Sequence, residues 1–228
     1  METTHHSSLL PALRETAEKL IKTFREIPDG RRELLEQFAS LISENIKRGM
    51  NTDLNFICTH NSRRSQIGQL WAQAAAHYYS IPGIRAYSGG TEATAFNPRA
   101  VNATKAAGFG IEKRSAGDNP EYSVVFSTDA PAVTAFSKKY DHAFNPPKDF
   151  LAVMTCSHAD ENCPVVLGAA KKITLTYNDP KDFDDTPREE EKYRERLMEI
   201  GREILYAFSR VKWTKKKLHD GERTSHNQ

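Results

Sequence analysis

The sequence is short of cysteine, of net charge and of long apolar runs, and each shortage excludes a class of protein. Three cysteines in 228 residues are too few for a disulfide-stabilised scaffold. A formal net charge of +2 gives no reason to expect nucleic acid as a partner. No segment approaches the roughly 18 apolar residues that cross a bilayer, so we expect no membrane partner. The N-terminus lacks the apolar core of a signal peptide, which predicts a cytoplasmic protein with reduced thiols.

The chain is long enough for one medium domain with an added N-terminal end. Apolar residues recur at helical spacing over 9–26 and 31–47, which predicts two helices. We expect them to form a helical extension over residues 1–50, which either packs on the helices that flank the sheet or mediates a homodimer. The main domain is predicted over residues 51–212, followed by a disordered tail over 213–228.

Apolar strands alternate with helices in the main domain. Strands are predicted over 54–58, 84–90, 149–156 and 171–177, and helices over 65–79, 97–108 and 186–210. This alternation predicts an α/β fold with a parallel four-stranded sheet flanked by helices. Residues 122–128 and 131–137 are predicted to pair as a hairpin or edge. Cys58 and Cys156 both end an apolar strand, and ligands of such sheets bind there, so we expect the two cysteines to meet in space.

The segment FICTHNSRRSQ carries the strongest functional signal. Five residues separate Cys58 from Arg64, between a predicted strand and a predicted helix. Backbone N–H groups of such a loop and the helix N-terminus favour a bound anion. The arginine can grip a tetrahedral oxyanion with two hydrogen bonds, and the same field favours a thiolate nucleophile at Cys58. The remaining predicted anion-binding residues are Thr59, His60, Asn61, Ser62, Arg63 and Ser65, of which Ser65 can hydrogen-bond the sulfur and Asn61 can hold the loop shape.

The loop CTHNSRRSQ resembles the nucleophile loop of the low-molecular-weight protein tyrosine phosphatase superfamily, which includes the thioredoxin-coupled arsenate reductases. The resemblance runs from about Asn55 to Phe208, with an apparent insertion near 118–148. It implies the phosphotyrosine phosphatase I-like fold and leaves the N-terminal helices outside. Two positions depart from the commonest loop, C-x-G-N-x-C-R-S. His60 replaces glycine and needs a backbone angle that a side chain tolerates, and Arg63 replaces a second cysteine.

The segment CSHADENC places Cys156 and Cys163 at the end of a predicted strand and in the loop beyond it. The residues alone leave three interpretations: unrelated buried cysteines, zinc ligands together with His158 and Cys58, or a redox pair in a flexible loop. The segment strongly resembles the redox loop of thioredoxin-coupled arsenate reductases. That resemblance implies a three-cysteine relay, which ends in a Cys156–Cys163 disulfide that thioredoxin or a similar dithiol protein reduces.

The leaving oxygen of phosphoryl or arsenyl transfer needs a proton donor. Asp179 and Pro180 follow the last predicted strand, and the superfamily carries its general acid in a matching Asp-Pro pair. We therefore predict that Asp179 is the acid. A plain turn is the alternative interpretation of this pair, and the neighbouring carboxylates Asp182, Asp184 and Asp185 are alternative acids.

Two enzymatic functions remain, and the second cysteine pair discriminates them. An arsenate reductase needs all three thiols, whereas a tyrosine phosphatase works through a Cys58 phospho-enzyme and has no use for Cys156 and Cys163. Aromatic residues over 122–144 either line a rim for phosphotyrosine or pack as core. A third possibility is a non-enzymatic regulator with the N-terminal helices as a binding arm. We expect no bound cofactor and no metal, because Gln69 stands where potassium-binding arsenate reductases have a glutamate.

Overall fold

A computed structural model describes residues 8–162 and 165–213. Cys163 lies outside these described residues, and so does the predicted tail from residue 214. In chain order the elements are α1 (Pro11–Ile21), a 3₁₀ turn (Phe24–Glu26), α2 (Asp29–Lys47), β1 (Thr52–Cys58), α3 (Arg64–Tyr78), β2 (Ile84–Gly90), α4 (Pro98–Ala106), β3 (Gly110–Lys113), β4 (Tyr122–Val125), β5 (Val133–Ala135), β6 (Phe150–Met154), α5 (Ser157–Asn162), β7 (Ala169–Thr174), a second 3₁₀ turn (Pro180–Phe183) and α6 (Glu189–Ser209).

A four-stranded parallel sheet in the order β2-β1-β6-β7 forms the centre of the fold. Apolar side chains of β1 and β6 are divided between two apolar clusters, one on each face of the sheet, and those of β6 alternate residue by residue. Leu54 and Phe56 face the cluster that contains residues of α3 and α6, whereas Ile57 and Cys58 face the cluster that contains Ala159 of α5. Both faces are thus covered by helices, as the continuous apolar run of β6 predicts. The predicted α/β fold is confirmed.

The three-stranded antiparallel sheet β3-β4-β5 occupies the region between α4 and β6. The predicted hairpin is present as the β4–β5 pair, with shorter strands than 122–128 and 131–137. Strand β3 was not predicted from the sequence, because its four residues are exposed or half-buried and show no alternation. This sheet brings the segment from Phe136 to Asn145 against the carboxyl ends of β1 and β2.

Two predicted boundaries are wrong, and the second of them bears on the site. The first helix ends at Ile21 rather than at residue 26. The last strand of the parallel sheet covers Ala169–Thr174 rather than 171–177. Residues 175–177 nevertheless continue beside β6, since Leu175 N donates to Met154 O (2.8 Å) and Tyr177 N donates to Thr155 O (3.1 Å). The chain therefore reaches Asp179 along the same sheet edge that carries Cys156.

The N-terminal helices α1 and α2 pack against α6. Their apolar stripes are buried within the main core, through residues that include Leu13, Leu20, Leu35, Phe38 and Ile42. The apolar stripes therefore pack within their own chain. The homodimer and the domain boundary at residue 50 remain predictions. Within the two described stretches, no helix has both the length and the apolar character that a membrane span requires.

Candidate active site

Cys58 is the last residue of β1, and its side chain is buried. Its Sγ lies 3.1 Å from the hydroxyl of Ser65, in the first turn of α3. Asn61 Nδ2 donates to the same Ser65 oxygen (2.8 Å), which leaves the hydroxyl hydrogen free to point at the sulfur. The N-terminus of α3 adds positive potential at this point. A thiolate at Cys58 would therefore be stabilised by a hydrogen bond and by the helix.

Carbonyl oxygens of the loop after Cys58 accept hydrogen bonds from groups outside the loop. The pairs, donor first, are Thr91 N to Cys58 O (3.2 Å), Glu92 N to Thr59 O (2.8 Å), Ser137 Oγ to His60 O (2.8 Å), Gln66 Nε2 to Asn61 O (3.1 Å) and Asn97 N to Ser62 O (2.9 Å). In a trans peptide the C=O and the following N–H point in opposite directions. The loop N–H groups consequently face its interior, and such a set of donors in front of a helix N-terminus binds anions.

Asn61 sets the shape of this loop. It is the loop residue with a left-handed backbone, at φ 48°, so that the strained position is not His60. Its Oδ1 accepts a hydrogen bond from Lys138 N (3.0 Å), the kind of side chain–backbone bond expected from the sequence. Gly90 permits the tight approach of the neighbouring chain, since a Cβ there would lie 2.6 Å from Thr59 O and 2.8 Å from Asn61 N.

Arg64 and Asp179 lie together at the open side of the loop. Arg64 Nη2 donates to Asp179 Oδ2 (2.5 Å), and Arg64 Nη1 donates to Tyr177 O (2.8 Å). Asp179 also caps the 3₁₀ turn by accepting from Lys181 N (3.1 Å). No acceptor among the described residues bonds the buried Nε of Arg64. The guanidinium therefore keeps a donor for a further acceptor while it holds the predicted acid beside the loop.

Two of the alternative acids, Asp184 and Asp185, lie with Arg63 in a neighbouring charged network. Asp184 accepts a hydrogen bond from Tyr193 OH (2.7 Å), and its other oxygen lies 3.4 Å from Arg63 Nη2. Asp185 pairs with Arg99 (2.6 Å). Arg63 Nε also donates to Tyr193 OH (2.7 Å). Burial and the hydrogen bond to Asp184 raise the pKa of Tyr193 to about 12, so the phenol remains a donor. The Arg63 guanidinium is thus held by Tyr193 of α6 and by Asp184, which follows the second 3₁₀ turn.

The two described cysteines belong to one buried cluster beneath the anion loop. Cys156 lies two residues beyond β6, and its Sγ accepts from Ala159 N (3.4 Å). The hydroxyl of Thr59 lies 3.5 Å from Cys156 Sγ and 3.3 Å from His158 Nδ1. The structure therefore brings Cys156 into contact with the residue that follows Cys58. Within the described chain, no group of three His, Cys, Asp or Glu side chains is arranged to hold a metal ion.

A cleft of about 490 Å³ opens beside the loop. Its described lining is polar or small and contains no Phe, Tyr or Trp: His60, Ser62, Arg63, Thr94, Ala95, Asn97, Pro98, Asp118 and Lys181. The aromatic residues of 122–144 pack elsewhere. Tyr122 makes an edge contact with Phe96, and Phe136 makes one with Phe144. These contacts favour the interpretation of core and hairpin packing over that of an aromatic rim.

Several residues that shape the site were not predicted from the sequence. Gln66 bonds both Asn61 and the carbonyl of Phe136, and Lys138 is buried behind the loop with its Nζ 4.5 Å from the centre of the Phe136 ring. Gln66 could have been singled out from the sequence, because it is a polar residue in the first turn of a helix whose other residues are mostly buried. Lys138 carries none, since the pair Lys138-Lys139 in an insertion is typical of an exposed turn.

Comparison with known proteins supports the superfamily indicated by the loop. The chain is 31% identical to arsenate reductase 2 of Staphylococcus epidermidis over 113 residues, which are 49% of this chain and 65% of that protein. It is 33% identical over 113 residues to arsenate reductase 2 of Staphylococcus haemolyticus, again 49% of this chain and 65% of the relative. The chain thus covers just under two thirds of these relatives. No family model matches it.

Two solved structures resemble this chain in part, each with a TM-score below 0.5. A low-molecular-weight protein tyrosine phosphatase from T. tengcongensis has a TM-score of 0.48 and 16% identity, over 71% of this chain and 100% of that one. An arsenate reductase from Archaeoglobus fulgidus has a TM-score of 0.45 and 19% identity, over 68% and 98%. The resemblance stated from the sequence, to the low-molecular-weight phosphatase superfamily and within it to the arsenate reductases, agrees with the sequence relatives.

Proposed function

We propose that this protein is an arsenate reductase in which Cys58 is the nucleophile of an anion-binding loop. The single observation that carries the proposal is the position of a second buried thiol, Cys156, against Thr59 of that loop. An oxyanion cradle alone serves a phosphatase equally well. A neighbouring thiol is needed only when the reaction ends in oxidation of the enzyme, and the sequence relatives named arsenate reductase point to the same reaction.

The first step places arsenate in the cradle formed by the loop N–H groups and Arg64. The Cys58 thiolate attacks arsenic, so that an S–As bond forms and one As–O bond breaks. Asp179 supplies the proton with which that oxygen leaves as water. A bound oxyanion competes with Asp179 for the Arg64 guanidinium, which loosens the ion pair and leaves the carboxyl beside the leaving oxygen.

The second step is the redox step. The thiolate of Cys156 attacks Cys58 Sγ, so that an S–S bond forms and the S–As bond breaks with its electron pair on arsenic. Arsenic(V) becomes arsenic(III), and the two sulfurs supply both electrons. The Thr59 hydroxyl can donate a hydrogen bond to Cys156 Sγ and favour its thiolate. No external reductant is consumed up to this point.

The last step regenerates the enzyme, and it rests on the sequence resemblance. Cys163, which lies outside the described residues, attacks Cys156 and releases Cys58. Thioredoxin or a similar dithiol protein then reduces the Cys156–Cys163 disulfide by exchange. Such a reductant acts in a reducing compartment, which fits the cytoplasmic location expected from the sequence.

Tyrosine phosphatase activity is the competing function, since Cys58, Arg64 and Asp179 suffice for a phospho-enzyme. The described lining of the cleft favours the smaller substrate. It offers cationic and small polar groups to an oxyanion but no aromatic ring on which a phosphotyrosine ring can stack. We expect slow hydrolysis of aryl phosphates as a side reaction of the same cradle.

The test compares wild type with Cys163→Ser. Arsenate is supplied with a thioredoxin system, and NADPH consumption is followed. We expect repeated turnover in wild type and a single turnover of arsenite release in the variant, while hydrolysis of an aryl phosphate is unchanged. Sustained arsenate reduction by Cys163→Ser would remove the role of Cys163. Aryl phosphate hydrolysis without any arsenite release in wild type would leave the phosphatase function instead.

A further inference from the structure

Arg31, in the first turn of α2, reaches from the N-terminal extension to the segment that leads to Asp179. Its Nε and Nη2 lie 3.0 Å and 2.8 Å from Glu203 Oε2 on α6. The same Nη2 donates to the carbonyl of Thr176 (3.2 Å), and the guanidinium carbon lies 4.9 Å from the centre of the Tyr177 ring. One side chain thus joins α2, α6 and residues 176–177.

The ion pair is largely removed from water, with the Arg31 side chain 18% exposed and that of Glu203 7% exposed. Burial of both charges costs desolvation energy, so such a pair is weak evidence for a role in stability. The geometry of the pair is better suited to orienting the groups that Arg31 bonds. A planar guanidinium with several donors fixes the positions of its acceptors more narrowly than a lysine does.

Two arginines hold the backbone at residues 176–177 from two sides. Arg31 donates to Thr176 O, and Arg64 donates to the next carbonyl, Tyr177 O (2.8 Å). Asp179, two residues further on, bonds the other end of the Arg64 guanidinium. Any displacement of the Thr176–Tyr177 backbone would therefore move the acceptor that orients Arg64 and the acid that follows it.

We propose that Arg31 is a positioning residue for the anion site, which acts by holding the 176–177 backbone on which the orientation of Arg64 and Asp179 depends. This gives the N-terminal extension a part in the reaction, although α2 lies outside the resemblance to the phosphatase superfamily. The inference rests on the proposed function for its substrate, arsenate, but the positioning itself concerns any oxyanion in the cradle.

A matched control exists on the same pair of helices. Tyr206 OH of α6 donates to Glu36 Oε1 of α2 (2.7 Å), a second polar contact between α2 and α6. Tyr206→Phe removes that bond and keeps the ring that packs against Phe24. This variant loses a link between α2 and α6 without touching Thr176 or Tyr177.

The test uses the full chain with Arg31→Met, Arg31→Lys and Tyr206→Phe. Single-turnover arsenite release gives the rate of chemistry. Binding of inorganic phosphate is measured separately, by its protection of the Cys58 peptide from iodoacetamide. For Arg31→Met we expect the rate constant to fall by about tenfold or more and phosphate protection to weaken by a smaller factor, because the loop N–H groups remain. Arg31→Lys should recover part of the rate, and Tyr206→Phe should match wild type.

Equal rates and equal phosphate protection in Arg31→Met and wild type would overturn the proposal. So would parallel losses in Arg31→Met and Tyr206→Phe that follow their melting temperatures, since these indicate a structural role. If wild type releases no arsenite at all, the proposed function fails on its own. The positioning role is then judged by phosphate protection and by hydrolysis of an aryl phosphate. Should Arg31→Met not fold, the rate of Arg31→Lys decides in the same way.

Discussion

Cys58 and Cys156 are buried to almost the same extent, yet their surroundings differ in kind. The loop after Cys58 has its carbonyls bonded outward, its N–H groups turned inward and the N-terminus of α3 behind it. Cys156 belongs to the same apolar cluster, and its Sγ lies 3.4 Å from Ala159 N and 3.5 Å from the Thr59 hydroxyl. The comparison teaches that burial does not identify a catalytic thiol. The polar groups around the sulfur identify Cys58 as the cysteine whose site can hold an oxyanion beside a thiolate.

The largest expected effects come from replacing each of the two cysteines with serine. Cys58→Ser should abolish both arsenite release and aryl phosphate hydrolysis, with losses on the order of 10⁴-fold or more, because no thiolate faces the anion. Cys156→Ser should abolish arsenite release but retain aryl phosphate hydrolysis within about threefold, since the cradle does not depend on it. Steady-state assays of both reactions check this. Loss of phosphatase activity in Cys156→Ser would contradict the separation of the two sites.

A smaller effect is expected when the cradle is pushed out of shape. In Gly90→Ala the new methyl group would lie 2.6 Å from Thr59 O, so the loop has to shift. We expect a loss of roughly tenfold to hundredfold in aryl phosphate hydrolysis. Gly30→Ala is the control, because its methyl group meets no atom within 4 Å and lies in α2. It should leave the rate unchanged and stabilise the fold by about 0.5–1 kcal/mol in urea titrations. Similar rates in the two variants would mean that the loop tolerates displacement.

The smallest effect concerns the charge buried behind the cradle. Burial lowers the pKa of Lys138 from its usual 10.5 to about 8. Between these two values the unfolded chain binds more protons than the folded one, so this lysine makes stability rise with pH across that window. Lys138→Met should therefore be more stable than wild type at pH 7, by about 1–3 kcal/mol, with the difference shrinking from pH 8 to 10.5.

Urea denaturation at a series of pH values measures this difference. The control is Lys139→Met, because Lys139 is an exposed neighbour of the same type. A constant difference between Lys138→Met and wild type across the pH range would show that the ammonium is not buried behind the loop.

The parts of the site that could be predicted from the sequence are those whose residues lie close together along the chain. Cys58, Arg64 and Ser65 lie within eight consecutive residues, and a strand followed by a helix fixes their geometry. The parallel sheet follows from apolar runs that are each readable on their own. Asp179 depends on the resemblance to the superfamily, because an Asp-Pro pair by itself indicates only a turn.

The parts that the sequence did not predict depend on contacts between distant segments. Lys138 lies 77 positions from Asn61, whose side chain accepts its N–H, and Arg31 lies 145 positions from Thr176. No periodicity marks either residue, since both belong to types that are usually exposed. Only the packing of an insertion and of an extension onto the sheet makes them part of the site, and such packing is not encoded in local spacing.

Helix α6 contacts α1, α2, α3 and α4. Gly201 of this helix admits the Trp71 ring of α3 so closely that a Cβ would lie 2.5 Å from it. The N-terminal helices and α3, whose first turn carries Arg64 and Ser65, thus pack on the same helix. Heating should consequently melt the N-terminal helices and the sheet in a single cooperative transition. A chain trimmed at residue 50 would expose the apolar side chains of α6 that pack against α1 and α2, and it would be prone to aggregate.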